Sequence, residues 1–559
     1  MLPPLFAATQ NRYDILITEF LPDPSPAVLL PESSFIEIKN RSGRDYNLHN
    51  WKISNGSSTA TIKTDFILKE DSFLILCNTA SAPAFSQFGS ALGISGFPAL
   101  GNDADDIILS SDAGVVIHAL HYDRNWFDNE LKATGGWSLE MRDLSNACSG
   151  KENWAASISS TGGTPGLKNS VDAENPDGQS PALIRAVTLD STDLILFFDE
   201  PVDSTSSSSP ANYTISDGAG PPETATPSPP FFDRVLIHLQ YPLMAGKIYS
   251  ITADHIRDCS GNEISLLNTC RAGIPEKVKR GDIIFNEILF NPPSYGFDYL
   301  ELYNRSSGII NCSGLFLAGR DMDGKLKDPV PLVKEERAFF PGEYLLLTEN
   351  TGWVLNNYPL APTTQLLSLS SLPSMPDDLG KVVLLNATGD VLDELDYDHH
   401  WHSPLLANES GVSLERITPD LPTSLASRWT SSAAPGYGTP GYKNSASSPD
   451  SARADFISVE PKIFSPDMDG YRDFCFIHYH LPAAGFVGSI SIYDVYGRML
   501  RKLVNNELWE TSGNYRWDGL DDQQNLLPIG HYIIYAEVFL PDGTVKKNVS
   551  VCVLARRKV

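Results

Sequence analysis

The chain has 559 residues, enough for three to five domains at roughly 100–200 residues each. Its 69 acidic against 42 basic residues leave a formal charge of −27, which argues against nucleic acid and against an anionic membrane surface as partners, because both select for positive patches. No run of about 20 apolar residues occurs, so no segment reads as a membrane-spanning helix.

Residues 1–12 open with MLPPLFAATQ, in which residues 2–8 read as the tail of an apolar run followed by small residues. That is the remnant of a signal peptide without its basic start, or an ordinary disordered terminus. From residue 13 onward, short apolar alternations are broken by Gly, Pro, Asn and Asp, the pattern of an all-β chain.

The strongest feature is a duplication. Residues 35–42 read FIEIKNRS and residues 299–306 read YLELYNRS. HYDRNW at 121–126 answers DYDHHW at 396–401, GWSLEM at 136 answers GVSLER at 411, and GTPGLKNS at 163 answers GTPGYKNS at 438, all in the same order. In FIEIKN, Phe35, Glu37 and Lys39 face one way and Ile36, Ile38 and Asn40 the other, which predicts a strand with one buried and one wet face.

These motifs resemble the lamin tail domain, an immunoglobulin-like β-sandwich. They are carried in the first copy by Glu19/Phe20, Glu37/Asn40, Leu48/Trp51, Trp154 and residues 163–169. In the second copy they are Glu287, Glu301/Asn304, Leu315, Trp429 and residues 438–444, with Leu315 departing from Trp51. The resemblance implies domains at 13–170 and 281–446, and in bacteria it implies secreted multi-domain proteins. The glutamate pairs Glu19/Glu37 and Glu287/Glu301 have the residue type for acid–base chemistry if their surroundings split their pKa values. The resemblance implies instead that they hydrogen-bond backbone amides. Trp51, Trp154 and Trp429 sit at repeated motif positions, which marks them as core anchors.

Residues 171–181 form a polar linker bearing Pro and Gly. The segment 182–275 resembles bacterial Ig-like domains of surface-layer and adhesin proteins through Phe198, Glu200, Pro201, Val202, Asn212, Tyr213, Tyr249, Thr252, Asp258, Gly261 and Asn262. The role implied is spacing, with Asp258, Gly261 and Asn262 making a tight turn. The seven cysteines include no CxxC pair, against a structural zinc site. Only Cys259 and Cys270 are near in sequence; they form a disulfide in an oxidising compartment or stay as two thiols.

Residues 455–559 carry FSPDMDG at 464–470, YDVYGR at 493–498, WDG at 517–519 and PIGHY at 528–532. They resemble the Ig-like C-terminal modules of type IX secretion cargo and of flagellar hook-capping proteins, which implies a sorting signal read by export machinery. The chain ends on the basic Ala555-Arg556-Arg557-Lys558. Asp467, Asp469 and Asp473 around Gly470 are candidate calcium ligands, since spaced acids about a glycine turn can wrap a hard oxygen-seeking cation. Asp321 and Asp323 are a weaker counterpart. His399, His400 and His402 cluster, but not at helical zinc spacing; a loop is the favoured reading, and in a strand His400 and His402 would share a face.

No nucleophile elbow, phosphate loop, dinucleotide fingerprint or H-E-x-x-H occurs. The expectation is therefore an all-β chain of tandem immunoglobulin-like β-sandwich modules without catalytic function. It would be secreted or held at the outer surface of a Gram-negative bacterium, with a protein or polysaccharide as partner. The cofactor expected, if any, is calcium. The alternative is an accessory, targeting or carbohydrate-binding component of an extracellular hydrolase system.

Overall fold

A computed structural model describes residues 10–556 except 322, 405, 407, 420–422, 446–455, 468, 470 and 542. The beginning of the signal-like segment, the join at 446–455 and residues 557–559 lie outside the described residues. The structure is nearly all β, as the alternation implies, and divides into two compact units, Met1–Ile274 and Pro275–Val559.

In the first unit, one sheet runs Trp154–Ala156, Leu139–Met141, Ile15–Leu21, Phe35–Asn40, Phe73–Asn78, Ala91–Ile94. Its partner sheet runs Val116–Asp123, Ala104–Ser110, Lys52–Ser54, Thr59–Thr61. Between them lies a core containing Phe20, Ile36, Trp51, Leu109 and Trp154. In the second unit the same strand order recurs as Trp429–Ser431, Leu414–Arg416, Ile283–Leu289, Tyr299–Asn304, Tyr344–Thr348, Leu366–Ser368, with the last strand parallel in both copies. Trp51, Trp154 and Trp429 are all buried, and Leu315 fills the core in the second copy.

The two copies differ inside. In the first, the Ile17 amide donates to the buried His118 ring (2.8 Å). In the second, the Phe285 amide donates to Asp393 (2.9 Å), and Arg416 stands where Met141 does, donating to the Phe285 carbonyl (3.0 Å) and to Thr423 (2.7 Å). The half-buried Asp393 has the Arg416 charge near it, whereas the neutral imidazole of the first copy is matched by an apolar Met141 at the equivalent position.

One expectation is overturned. The strand FIEIKN does not have a wet face: Phe35, Ile36, Glu37, Ile38 and Asn40 are all buried, as are Tyr299, Leu300, Glu301, Leu302 and Asn304. The face that carries Glu37 is covered by the segment 163–171 and by a second apolar cluster of Leu21, Leu30, Phe35, Ile75, Cys77 and Phe85.

Two smaller sandwiches accompany the repeats. Leu183–Thr188, Asp193–Phe198, Arg234–His238 and Thr224–Pro227 face Tyr213–Ile215, Tyr249–Ala253 and Thr269–Ala272. Asp258 accepts from the Gly261 and Asn262 amides (2.6 and 2.9 Å), with Gly261 at φ +95°, so this stretch is a tight turn. At the C-terminus, Ile457–Glu460, Cys475–His480 and Ser512–Trp517 face a five-stranded sheet centred on Gly530–Phe539.

The disulfide differs from the expected one: Cys259 is bonded to Cys148, not to Cys270. Cys270 lies on the strand Thr269–Ala272 opposite Ile251, so its thiol points into the core, whereas Cys259 sits at the surface in the turn after Asp258. The bond spans 111 residues and joins the first sandwich to the Ig-like one. The stretch 171–181 between them is hydrogen-bonded rather than a free spacer: Asn175 donates to Asp143 (2.9 Å), and Asn262 donates to the Asp177 carbonyl (3.2 Å). Replacing both Cys148 and Cys259 with Ser is expected to lower the stability of this unit by about 2–4 kcal/mol. Denaturant unfolding of oxidised, reduced and doubly substituted chains reads this directly. An unchanged midpoint would mean that the packing alone holds the two sandwiches.

Candidate functional site

The most polar interior features are two rows of glutamates. Backbone pairing sets Glu37 opposite Glu19 and Glu19 opposite Glu140 in the first copy, and Glu301, Glu287 and Glu415 likewise in the second. All six side chains are fully buried. A strand irregularity after Ile17 keeps the glutamates on one face and leaves Thr18 to donate to Glu37 (2.7 Å).

Each row clamps the strap that closes its own sandwich. Glu19 accepts from the Thr164 amide (2.8 Å) and Ser138 (2.6 Å), and Glu37 from the Gly166 amide (2.6 Å). Glu140 accepts from Thr164 (2.9 Å), Ser170 (2.8 Å) and the Val171 amide (3.1 Å). In the second copy Glu287 holds the Thr439 amide (2.9 Å) and Ser413 (2.7 Å), Glu301 holds the Gly441 amide, and Glu415 holds Thr439 (3.0 Å) and Ser445 (2.8 Å). Asn169 pins the end of its strap through the Thr18 and Met141 carbonyls (both 2.8 Å), as Asn444 does through that of Arg416 (2.9 Å).

The glycines of GTPG follow from this packing. A Cβ on Gly163 would lie 2.6 Å from the Glu19 carboxylate, and Gly166, at φ +82°, would put one 2.3 Å from the Phe88 carbonyl.

Burial raises Glu19, Glu37, Glu287 and Glu301, whose donors are neutral amides and hydroxyls. Burial pushes Glu37 up to about 8, against the hydrogen bonds from Thr18 and Gly166. Glu19 is raised well above the ordinary range by burial and by Glu37 and Glu140 beside it, and Glu301 by burial and by Glu287. Glu19 Oε2 is buried without a hydrogen-bond partner, a costly place for an ionised oxygen, so a proton on this carboxyl is the economical state. The arrangement anchors backbone. Every one of these glutamate side chains is sealed from solvent. Glu140 and Glu415 escape a reading of pairs alone; the signal was there in GWSLEM and GVSLER, where the shared glutamate alternates with apolar neighbours.

The candidate calcium ligands do converge: Asp467, Asp469 and Asp473 offer carboxylate oxygens within 4.8 Å of one another. Asp467 accepts from Ser465 (3.0 Å), and Asp469 from the Tyr471 amide (2.8 Å). Asp321 caps a turn through the Asp323 and Lys325 amides (3.0 and 2.8 Å) and joins no such group among the described residues. Two other groups meet the same spacing: Asp177, Glu200 and Asp258, and Asp398, His399 and His400. His400 and His402 do not share a strand face. His399–Trp401 is a single 3-10 turn, and His402 is buried against Phe290 and Ser431, where burial lowers it to about 4. In the second unit a cavity of about 340 Å³ is lined by Tyr442, Lys443, Glu510 and Thr511 among others.

The family description Lamin Tail Domain matches residues 8–124, a stretch that stops short of the strap. No curated protein sequence matches the chain. Among solved structures, the N-terminal part of the bacterial S-layer protein SbsC is 18% identical over 31% of this chain and 42% of that one, with a TM-score of 0.17. A DUF4876 family protein from Bacteroides thetaiotaomicron is 14% identical over 42% and 85%, with a TM-score of 0.19. PorZ, a surface component of the type-IX secretion system of Porphyromonas gingivalis, is 12% identical over 94% and 69%, with a TM-score of 0.17. The chain spans about half the length of the surface-layer structures it matches. At such TM-scores no function transfers from these likenesses.

Proposed function

We propose that this chain is an exported, non-catalytic bacterial surface protein in which four separately folding sandwich modules space and present binding surfaces to a protein or polysaccharide. The observation that carries this reading is the use made of the recurring polar residues: both glutamate rows are spent on holding backbone. No helix among the described residues is long and apolar enough to cross a membrane. The disulfide Cys148–Cys259 fits an oxidising compartment. The second repeat, with the strand order of the first, is a second lamin-tail-type sandwich in this reading, and the module from 455 onward directs delivery to the surface.

Surface labelling of cells making the full chain, and of cells making a chain without residues 450–559, tests it. The full chain is expected at the outer surface with Cys148 and Cys259 oxidised, and the shortened chain folded but retained in the periplasm. A reduced, cytoplasmic full-length protein would overturn the reading. Equal surface exposure of both chains would reduce the terminal module to a spacer.

Asp467, Asp469 and Asp473 are the proposed calcium ligands of that module, through hard carboxylate oxygens. Millimolar Ca²⁺ is expected to raise its melting temperature by a few degrees, and Asp467→Asn with Asp469→Asn to remove the shift, because a ligand that binds only the native state stabilises it by mass action. Identical melts in Ca²⁺ and chelator would refute the site.

A further inference from the structure

We propose that Asp398, His399 and His400 form a surface site for a borderline transition-metal ion, of the class of Zn²⁺, in the second repeat and not in the first. One ligand atom from each residue lies within 4.8 Å of the other two. A tetrahedral Zn²⁺ with ligands at about 2.0–2.1 Å holds them roughly 3.4 Å apart, so a modest rotation of exposed side chains closes the set. Imidazole with carboxylate is a donor set for Zn²⁺, Ni²⁺ or Cu²⁺, whereas Ca²⁺ and Mg²⁺ take oxygens.

The rings are already gathered. Their centroids are 4.0 Å apart. His399 Nδ1 lies 3.2 Å from Glu409 and His400 Nδ1 2.7 Å from Asp398. On His399 the Glu409 carboxylate fixes the ring through Nδ1 and leaves Nε2 to ligate, the arrangement that supports metal-bound histidines, whereas His400 Nδ1 and the Asp398 carboxylate face each other as two donors to one ion would. Asp398 also caps the turn, accepting from the His400 amide (2.9 Å), so its carboxylate is held beside the rings by the backbone itself. Three protein donors leave at least one position for water or for a donor from another molecule.

The duplication supplies the comparison. The equivalent turn in the first copy, Arg124–Phe127, is capped in the same way, Asp123 accepting from the Asn125 amide (2.6 Å). Its Trp126 lies 6.1 Å from Trp154, as Trp401 lies 6.2 Å from Trp429. Where the second copy has His399 and His400, the first has Arg124 and Asn125, a guanidinium and an amide that do not ligate such an ion. The scaffold and its aspartate are shared, and only the two imidazoles differ.

The test is calorimetric titration of the untagged full chain with Zn²⁺, alongside His399→Arg/His400→Asn, which restores the first copy's own turn, and Asp398→Asn. The wild type is expected to bind one tight equivalent. The double variant should melt at the wild-type temperature and bind at least tenfold more weakly, and Asp398→Asn should fall in affinity. Ca²⁺ should not compete. No tight equivalent in the wild type, an undiminished one in a folded double variant, or displacement by equimolar Ca²⁺ would each overturn the proposal.

Discussion

Trp154→Ala is expected to unfold the first sandwich, at a cost of about 3–5 kcal/mol. The indole is almost fully buried, with its ring 5.2 Å from Phe20 and 6.1 Å from Trp126. Its strand, Trp154–Ala156, is the edge of the six-stranded sheet and reaches that sheet only through Leu139–Met141. The cavity would therefore open where the sheet has least backbone support, a few residues before the strap. Loss of near-ultraviolet dichroism from this sandwich, with the second unit's melt unchanged, is the expected signature. A variant that stays folded and loses only a binding activity would make Trp154 a ligand platform instead.

Raising the pH from 7 to 9 is expected to destabilise both repeats. Burial sets the folded Glu37 near 8 against an ordinary value of 4.5, and holds Glu19, Glu287 and Glu301 high as well. The native state thus keeps protons that the unfolded chain gives up, so stability is greatest below about pH 4.5 for these groups and is lost as pH rises toward their folded values. The slope is about 1.4 kcal/mol per pH unit for each carboxyl still protonated, and the full excursion for Glu37 alone is on the order of 5 kcal/mol. The buried His118 and His402, lowered to about 3 and 4, act in the opposite sense, but only below the ordinary histidine range near 6.5. Between pH 7 and 9 the glutamates are therefore read without them. Melting midpoints at constant ionic strength should fall across this interval; midpoints that do not fall would mean that the rows are already ionised in the folded protein.

Much of this was legible in the sequence because the chain states it twice. The six-residue alternations at 35 and 299, the shared tryptophans and the GTPG segments mark two equal sandwiches, and the structure gives them equal strand orders. What was not legible was the covering of the second face. Period-2 alternation separates two faces but does not say what lies over either one, and Glu37 on the polar side reads as exposed until Gly166 is placed upon it from 129 residues away. The cysteines failed for the same reason. Proximity in sequence favoured Cys259 with Cys270, while the strand direction that turns Cys270 inward is a property of the sheet.

The strap also bears on how the protein is made. Glu19 waits for Thr164, 145 residues later, and Glu287 for Thr439, 152 residues later. Contacts of such separation are slow to form, because a long loop must close before they return anything. At synthesis rates of about 5–20 residues per second, each glutamate face stays uncovered for on the order of 10 s after its strands emerge. During that interval the half-made sheet presents ionisable side chains to water among its apolar ones. A nascent repeat that can take on charge while it waits has a built-in defence against sticking to its neighbour, and it gives up that charge only when its own last residues arrive.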